Sequence, residues 1–266
     1  MKFDMHCHTK EGSLDGKITI EETIEILEAK GYDGMLITDH NSYRAYRHWK
    51  KNIKGIKHTD FVVLKGIEYD TLDCGHILVI LPHGVHVPIL ELRGLPVSIL
   101  IEIVHHFGGI LGPAHPCGEK YLSLTNTKRG KRNLDIINKF DFLEAFNACE
   151  SKESNVKASA LANRYNKPHF GGSDSHREDC IGLGYTQIDA VIENETDLID
   201  ALHNAVPVSA GGTYYEKTTK QKIGKLNNVL VYSFWFYNKG LAFLKKRKRK
   251  VELLKSDYKM WQKKVS

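Results

Sequence analysis

Met1-Lys2-Phe3-Asp4-Met5-His6-Cys7-His8 reads as a strand that ends in a metal-binding edge. An apolar segment from Met1 to Met5 leads into two histidines spaced i, i+2, which a strand sends to one face, with Cys7 on the other. Two imidazoles side by side make half a metal site. Further along the chain come Asp15, the Asp39-His40 pair, Glu68, His76, His115 and the cluster Gly172-Ser173-Asp174-Ser175-His176. Mixed imidazole and carboxylate donors of this kind suit zinc, manganese or iron.

Outward from that strand, apolar runs alternate with helical patterns, the signature of βα units. In the first helix Thr19 and Glu22 form a capping box, Ile20, Ile24 and Leu27 repeat at i, i+4, i+7, and Gly31 stands where a left-handed stop belongs. Strand-like runs follow at 34–38, 61–67, 77–81, 109–113, 140–146, 169–172, 184–188 and 206–210, with helical patterns at 97–107, 154–165 and 195–205. The polar residues of interest fall at the downstream ends of the runs: His6/His8, Asp39/His40, Glu68, His115, Glu144/Asn147 and Asp174/His176. A β/α barrel converges such ends on one mouth.

His76 begins a run rather than ending one. The short polar segment with Asp70, Asp73 and Gly75 predicts a hairpin that returns His76 to the side of Glu68. His83 would lie roughly 23 Å further along an extended strand, at ~3.3 Å per residue, so His76 is chosen over His83 and His86. The pair His105-His106, on a helix face ending at Gly108, reads as structural.

With 266 residues and 41% hydrophobic content the chain can bury one large barrel core. It shows no secretory leader and no apolar run long enough to span a bilayer, so a cytoplasmic protein without a transmembrane segment is expected. Five cysteines without CxxC spacing indicate neither a disulfide framework nor a zinc knuckle. From Thr213 onward 15 Lys/Arg face 3 Asp/Glu, a local charge of +12, so the +6 total leaves residues 1–212 at −6. An acidic body therefore carries a basic tail.

The ordered set His6-x-His8, Asp15-Gly16 before a capped helix, Thr38-Asp39-His40, Gly66-x-Glu68, Ala114-His115-Pro116 and Gly172-Ser173-Asp174-x-His176 resembles the PHP (polymerase and histidinol phosphatase) family of metal-dependent phosphoesterases. The resemblance runs from residue 1 to about 212. It implies a distorted (β/α)7 TIM-like barrel with two or three divalent metal ions, manganese, iron or zinc, at its mouth. It also implies that His6, His8, Glu68 and Asp174 hold a first metal, that Glu68 bridges to a second held by His76 and His115, and that Asp15, His40 and His176 hold a third. Asp15 stands where many members carry histidine.

A carboxylate bridging two cations about 3.5–4 Å apart suits hydrolysis of a phosphoester. Glu68, His40 and Asp39 are the residues expected to carry catalysis. Asp39 and Glu144 are read as carboxylates that orient imidazoles, Asp39 the better choice of the two. Arg177, Arg44 and Arg129 are candidates for the substrate phosphate, and the polar loop 117–132 is a candidate lid.

The expected substrate is a phosphorylated small molecule or a nucleotide. The alternatives are a nuclease anchored on nucleic acid by its basic tail and an amidohydrolase, which also opens with His-x-His. The domain reading is a phosphoesterase unit at 1–212 and a basic helical extension at 213–266. Within that extension Lys245-Lys246-Arg247-Lys248-Arg249-Lys250 are expected to favour nucleic acid or anionic surfaces.

Overall fold

The structure, a computed structural model, describes residues 1–119 and 122–216. Residues 217–266 of the expected basic helical extension, the run 245–250 among them, lie outside the described residues. In chain order the elements are β1 (Lys2–Cys7), α1 (Ile20–Ala29), β2 (Gly34–Ile37), α2 (Arg44–Asn52), β3 (Val62–Asp70), β4 (His76–Ile80), α3 (Val97–His106) and β5 (Ile110–Pro113). After these come α4 (Lys128–Arg132), β6 (Leu143–Asn147), α5 (Lys152–Arg164), β7 (His169–Gly172), β8 (Gly184–Ile188), α6 (Glu195–His203) and β9 (Val208–Gly212).

Seven strands form one curled sheet in the order β5-β4-β3-β2-β1-β8-β9, and β6-β7 make a separate parallel pair. The α/β content expected of a distorted (β/α)7 barrel is present, and the large sheet has the form of a curled half-barrel. Only β1-β2 and β2-β3 within the large sheet are parallel, while β3-β4, β4-β5, β1-β8 and β8-β9 are antiparallel. For β3-β4 the reason is connection length: five residues of turn permit a hairpin, whereas a parallel return needs a crossover of a dozen or more. The β6-β7 pair lies across the open side, joined to β1 by the Cys7–Ser175 bridge and to β8 by Thr186 Oγ1, which donates to the Gly171 carbonyl at 2.8 Å. At its other edge Asp141 N donates to Leu111 O at 2.9 Å.

The capping box at Thr19 and Glu22 forms, and α1 lays Ile20, Ile24 and Leu27 against Cys7, Met35 and Ile37. The polar helix α2 carries one apolar face, Ala45, Tyr46 and Trp49, which buries against the same layer.

A β-bulge in β1 decides how the site is built. Asp4 pairs with Met35 and Cys7 with Ile37, so β1 advances three residues while β2 advances two. Strict alternation would put Phe3 and Met5 on the face opposite His6 and His8. The extra residue lets both sets face inward: Phe3 and Met5 pack with Leu36, Leu64, Leu78, Phe142 and Phe170, and the two imidazoles follow directly above them. Phe142 and Phe170 stack with ring centroids 4.0 Å apart, making a dry floor under the polar mouth.

Candidate metal centre

Glu68 sits at the middle of the mouth and is buried. Its Oε1 lies 2.8 Å from His76 Nδ1, 3.1 Å from His115 Nε2 and 3.6 Å from His6 Nε2. Its Oε2 lies 3.0 Å from His40 Nδ1 and 3.3 Å from His8 Nε2. Five imidazoles thus surround one carboxylate. Asp174 Oδ1 closes the group on the β7 side, 3.5 Å from His6 Nε2 and 3.3 Å from His8 Nε2, whose nitrogens are 3.1 Å apart. At the outer rim Asp15 Oδ2 faces His176 Nε2 at 3.3 Å and His40 Nε2 at 3.6 Å. The structure therefore brings His6, His8, Asp15, His40, Glu68, His76, His115, Asp174 and His176 to one place.

Backbone geometry serves this convergence. Asp174 and His115 both take left-handed φ, +51° and +32°, which costs a non-glycine residue about 1–3 kcal/mol. Asp174 is held there by its amide, which donates to His6 O at 2.8 Å. Buried Asp4 accepts from Ser173 N at 2.8 Å and from His6 N at 3.3 Å, tying the end of β1 to the segment after β7.

The orienting carboxylate is Glu144, not Asp39. Glu144 Oε1 meets His6 Nδ1 at 2.8 Å, while its Oε2 accepts from the Asn147 side chain at 3.1 Å and from the His115 amide. Asp39 turns away from His40 and instead accepts from Thr9 N at 2.7 Å and Thr9 Oγ1 at 2.9 Å, bracing the loop after β1. Gly12 allows that approach, since a Cβ there would lie 1.9 Å from Asp39 Oδ2. The braced loop presents Ser13, whose Oγ accepts from His40 N at 3.0 Å and meets His8 Nδ1 at 3.2 Å. Adjacency in sequence pointed to Asp39; a partner 138 residues along the chain from His6 has no local signature.

The candidate arginines occupy different settings. Arg177 is half-exposed and 3.5 Å from Asp179, Arg44 is exposed at the start of α2, and Arg129 is held by Asp73 at 2.8 Å, beside the hairpin turn. The described part of the 117–132 loop folds onto the wall of the site: Leu122 O accepts from His76 N at 2.9 Å, and buried Ser123 meets His115 Nδ1 at 3.3 Å. His83 is directed to Glu195 at 2.8 Å and His105 to Asp141 at 3.0 Å, away from the group.

Sequence reasoning placed Asp70 in the hairpin segment and not in the site, although it stands two residues after Glu68 on the same face of β3, the alternation that singled out His6 and His8. Buried Asp70 places Oδ1 2.9 Å from His76 Nε2 and 3.7 Å from His40 Nδ1, and Arg93 pairs with its other oxygen.

The donor chemistry fits divalent transition metals. His40 Nδ1, Glu68 Oε2 and Asp70 Oδ1 are buried without a hydrogen bond, a cost of about 1–3 kcal/mol for each such atom that a shared cation would remove. Burial penalises the Glu68 carboxylate, but the charges of His76, His40 and His6 outweigh it and hold its pKa well below the usual range. Burial likewise works against protonated His76, and Glu68 and Asp70 overcome it, raising its pKa to about 9.

In metal-free protein, protons therefore occupy positions that cations would take. Because the folded pKa of His76 is about 9 against about 6.5 when unfolded, its contribution to metal-free stability is full below the latter and lost as pH rises through the former. Metal uptake at pH 7 should release protons, and apparent affinity should climb as pH rises toward 9. Calorimetry in buffers of differing ionisation enthalpy measures this release. Uptake without proton release, and with affinity flat in pH, would contradict it.

Residues 4–166 match the PHP domain family, and residues 152–207 match a PHP-associated family. The chain belongs to the PHP family. PHP domains bind several divalent metals, and the His/Glu/Asp groups for this are present in the chain. No curated protein sequence matches it. Among solved structures, an endonuclease Q complexed with a 27-mer duplex substrate bearing an abasic lesion superposes with a TM-score of 0.58 at 16% identity. That match covers 80% of this chain and 60% of the other, so this chain spans less than two thirds of that nuclease. PsfC from Pseudomonas syringae aligns with a TM-score of 0.58 at 15% identity, over 88% of this chain and 98% of its own. A two-domain Bacteroides vulgatus protein, described as containing a predicted PHP-like metal-dependent phosphoesterase, gives 0.52 at 20% identity, covering 80% and 65%. At these identities the likeness is one of fold. Among the described residues no helix is long and apolar enough to cross a membrane.

Proposed function

We propose that this PHP protein is a metal-dependent phosphoesterase acting on a phosphorylated small molecule or nucleotide, with Glu68 as the carboxylate shared between metals. The observation that carries the reading is that both Glu68 oxygens are ringed by imidazoles, with Asp174 opposite. His6, His8, Glu68 and Asp174 would hold one cation, Glu68, His76 and His115 a second, and Asp15, His40 and His176 a third. Two or three ions of manganese, iron or zinc suit this donor set. When bound, they supply an activated water near neutral pH and neutralise charge on phosphoryl oxygens.

The chain's own residues do the positioning. Glu144 fixes the ring of His6, Ser13 contacts His8 and the His40 amide, and Asp39 holds the loop that presents Ser13. Arg177 and Arg44 are the cations we assign to the substrate phosphate, while Arg129 is paired with Asp73. A second reading, a nuclease anchored by its basic segment, draws on the +12 charge from Thr213 onward.

A screen of metal-reconstituted protein against phosphomonoesters, cyclic diesters, oligonucleotides and amides tests both. Hydrolysis of a small phosphoester, abolished by chelation and restored by metal, is the expected result. Turnover confined to oligonucleotides, falling steeply between 50 and 200 mM salt as counterion release predicts, would select the nuclease. Turnover of amides alone would overturn both.

A further inference from the structure

The hairpin between β3 and β4 sets Asp70 directly opposite His76, with Glu68 two residues upstream on the same face. Its turn is fixed by Thr71, whose amide and hydroxyl both donate to Gly75 O, at 3.0 and 2.6 Å. Within this frame His76 Nδ1 makes its hydrogen bond to Glu68 Oε1 at 2.8 Å, which leaves Nε2 facing Asp70 Oδ1 at 2.9 Å. That second contact lacks hydrogen-bond alignment: Asp70 Oδ1 is buried without a hydrogen bond, as are the neighbouring His40 Nδ1 and Glu68 Oε2.

The three atoms lie close together, His40 Nδ1 being 3.0 Å from Glu68 Oε2 and 3.7 Å from Asp70 Oδ1. A nitrogen and two carboxylate oxygens with nothing to bond, joined by the remaining nitrogen of His76, are what a cation's coordination shell looks like when its donors converge. Asp70 is also held ready for this. Its amide donates to Asn41 Oδ1 at 3.0 Å, its carbonyl accepts from Gly94 N at 2.7 Å, and Arg93 pairs with Oδ2, leaving Oδ1 turned inward.

We propose that Asp70 is itself a metal ligand, and that its Oδ1 completes a coordination site with His40 Nδ1, His76 Nε2 and Glu68 Oε2 for a divalent first-row transition metal. The proposal rests on the metal-centre reading above and regroups its ligands: His76, through Nε2, and His40, through Nδ1, would bind this ion in place of the second and third cations named there. Glu68 would then serve this site twice, as a donor through Oε2 and as the group that orients His76 through Oε1. Arg93, by fixing the far oxygen, makes Asp70 a one-oxygen ligand.

The test loads full-length protein with zinc and counts ions per chain by elemental analysis, in the wild type, Asp70→Asn and Asp70→Ala. Both variants should hold one ion fewer at zinc concentrations that saturate the wild type. Crystals of the zinc-loaded wild type, whose folding is not in question, should show anomalous density about 2.0–2.2 Å from Asp70 Oδ1. An unchanged zinc count in folded variants, or anomalous peaks elsewhere in the mouth and none at Asp70, would overturn the assignment while leaving the metal centre standing. A wild type that binds no zinc, manganese or iron would overturn the centre itself, and Asp70 with it.

Discussion

A Glu68→Gln protein should lose metal and hydrolytic activity together. Glutamine keeps the shape but replaces one oxygen by an amide nitrogen, and either orientation removes a donor: Oε1 faces His6, His76 and His115, and Oε2 faces His8 and His40. It also deletes the negative charge that makes five clustered imidazoles tolerable beside bound cations. Metal ions contribute several kcal/mol of transition-state charge stabilisation, so losing about 4 kcal/mol means roughly a 10³-fold fall in kcat/KM. Elemental analysis and steady-state kinetics on the same preparation check it. A variant with its full metal complement and wild-type turnover would remove Glu68 from the centre.

The second large effect is expected from Gly172→Ala, far from any ionisable group in chemistry but not in space. A Cβ at 172 would stand 2.4 Å from His6 Cβ and 2.5 Å from His6 N. Neither atom is the end of a flexible chain, so β1 and β7 must separate. Overpacking of this kind costs about 1–3 kcal/mol in stability. The functional cost is larger, because His6 carries the first imidazole of the site and a shift of about 1 Å at a reacting centre can cost 10²-fold. Thermal unfolding and metal titration should both register the change. Wild-type melting and wild-type affinity in this variant would show that β1 can move without disturbing the cluster.

Several features of the protein are local and so were legible in the chain. The capping box at Thr19 and Glu22 starts α1 because both partners lie within one helical turn. The hairpin that returns His76 to Glu68 follows from a short polar connection, and the same argument sends His83 to the far end of β4, where it meets Glu195. Cys7 turns to the helical layer, as the period of two requires.

What tertiary structure alone decided depends on strand direction and register between distant segments. The antiparallel pairings of β8 and β9 turned an expected repeat of βα units into a curled half-barrel, and no periodicity within a strand says which way its neighbour runs. The bulge in β1 put Phe3, Met5, His6 and His8 on one side, against simple alternation. Glu144 took the orienting place at His6 because β6 pairs with β7, which lies against β1, whereas sequence adjacency had favoured Asp39, which the fold spends on Thr9. Residue types and local spacing determined which groups could bind metal; the register of one strand against another determined which atoms of those groups meet, because a contact of about 3 Å is set by the packing of whole elements and not by the residues next in line.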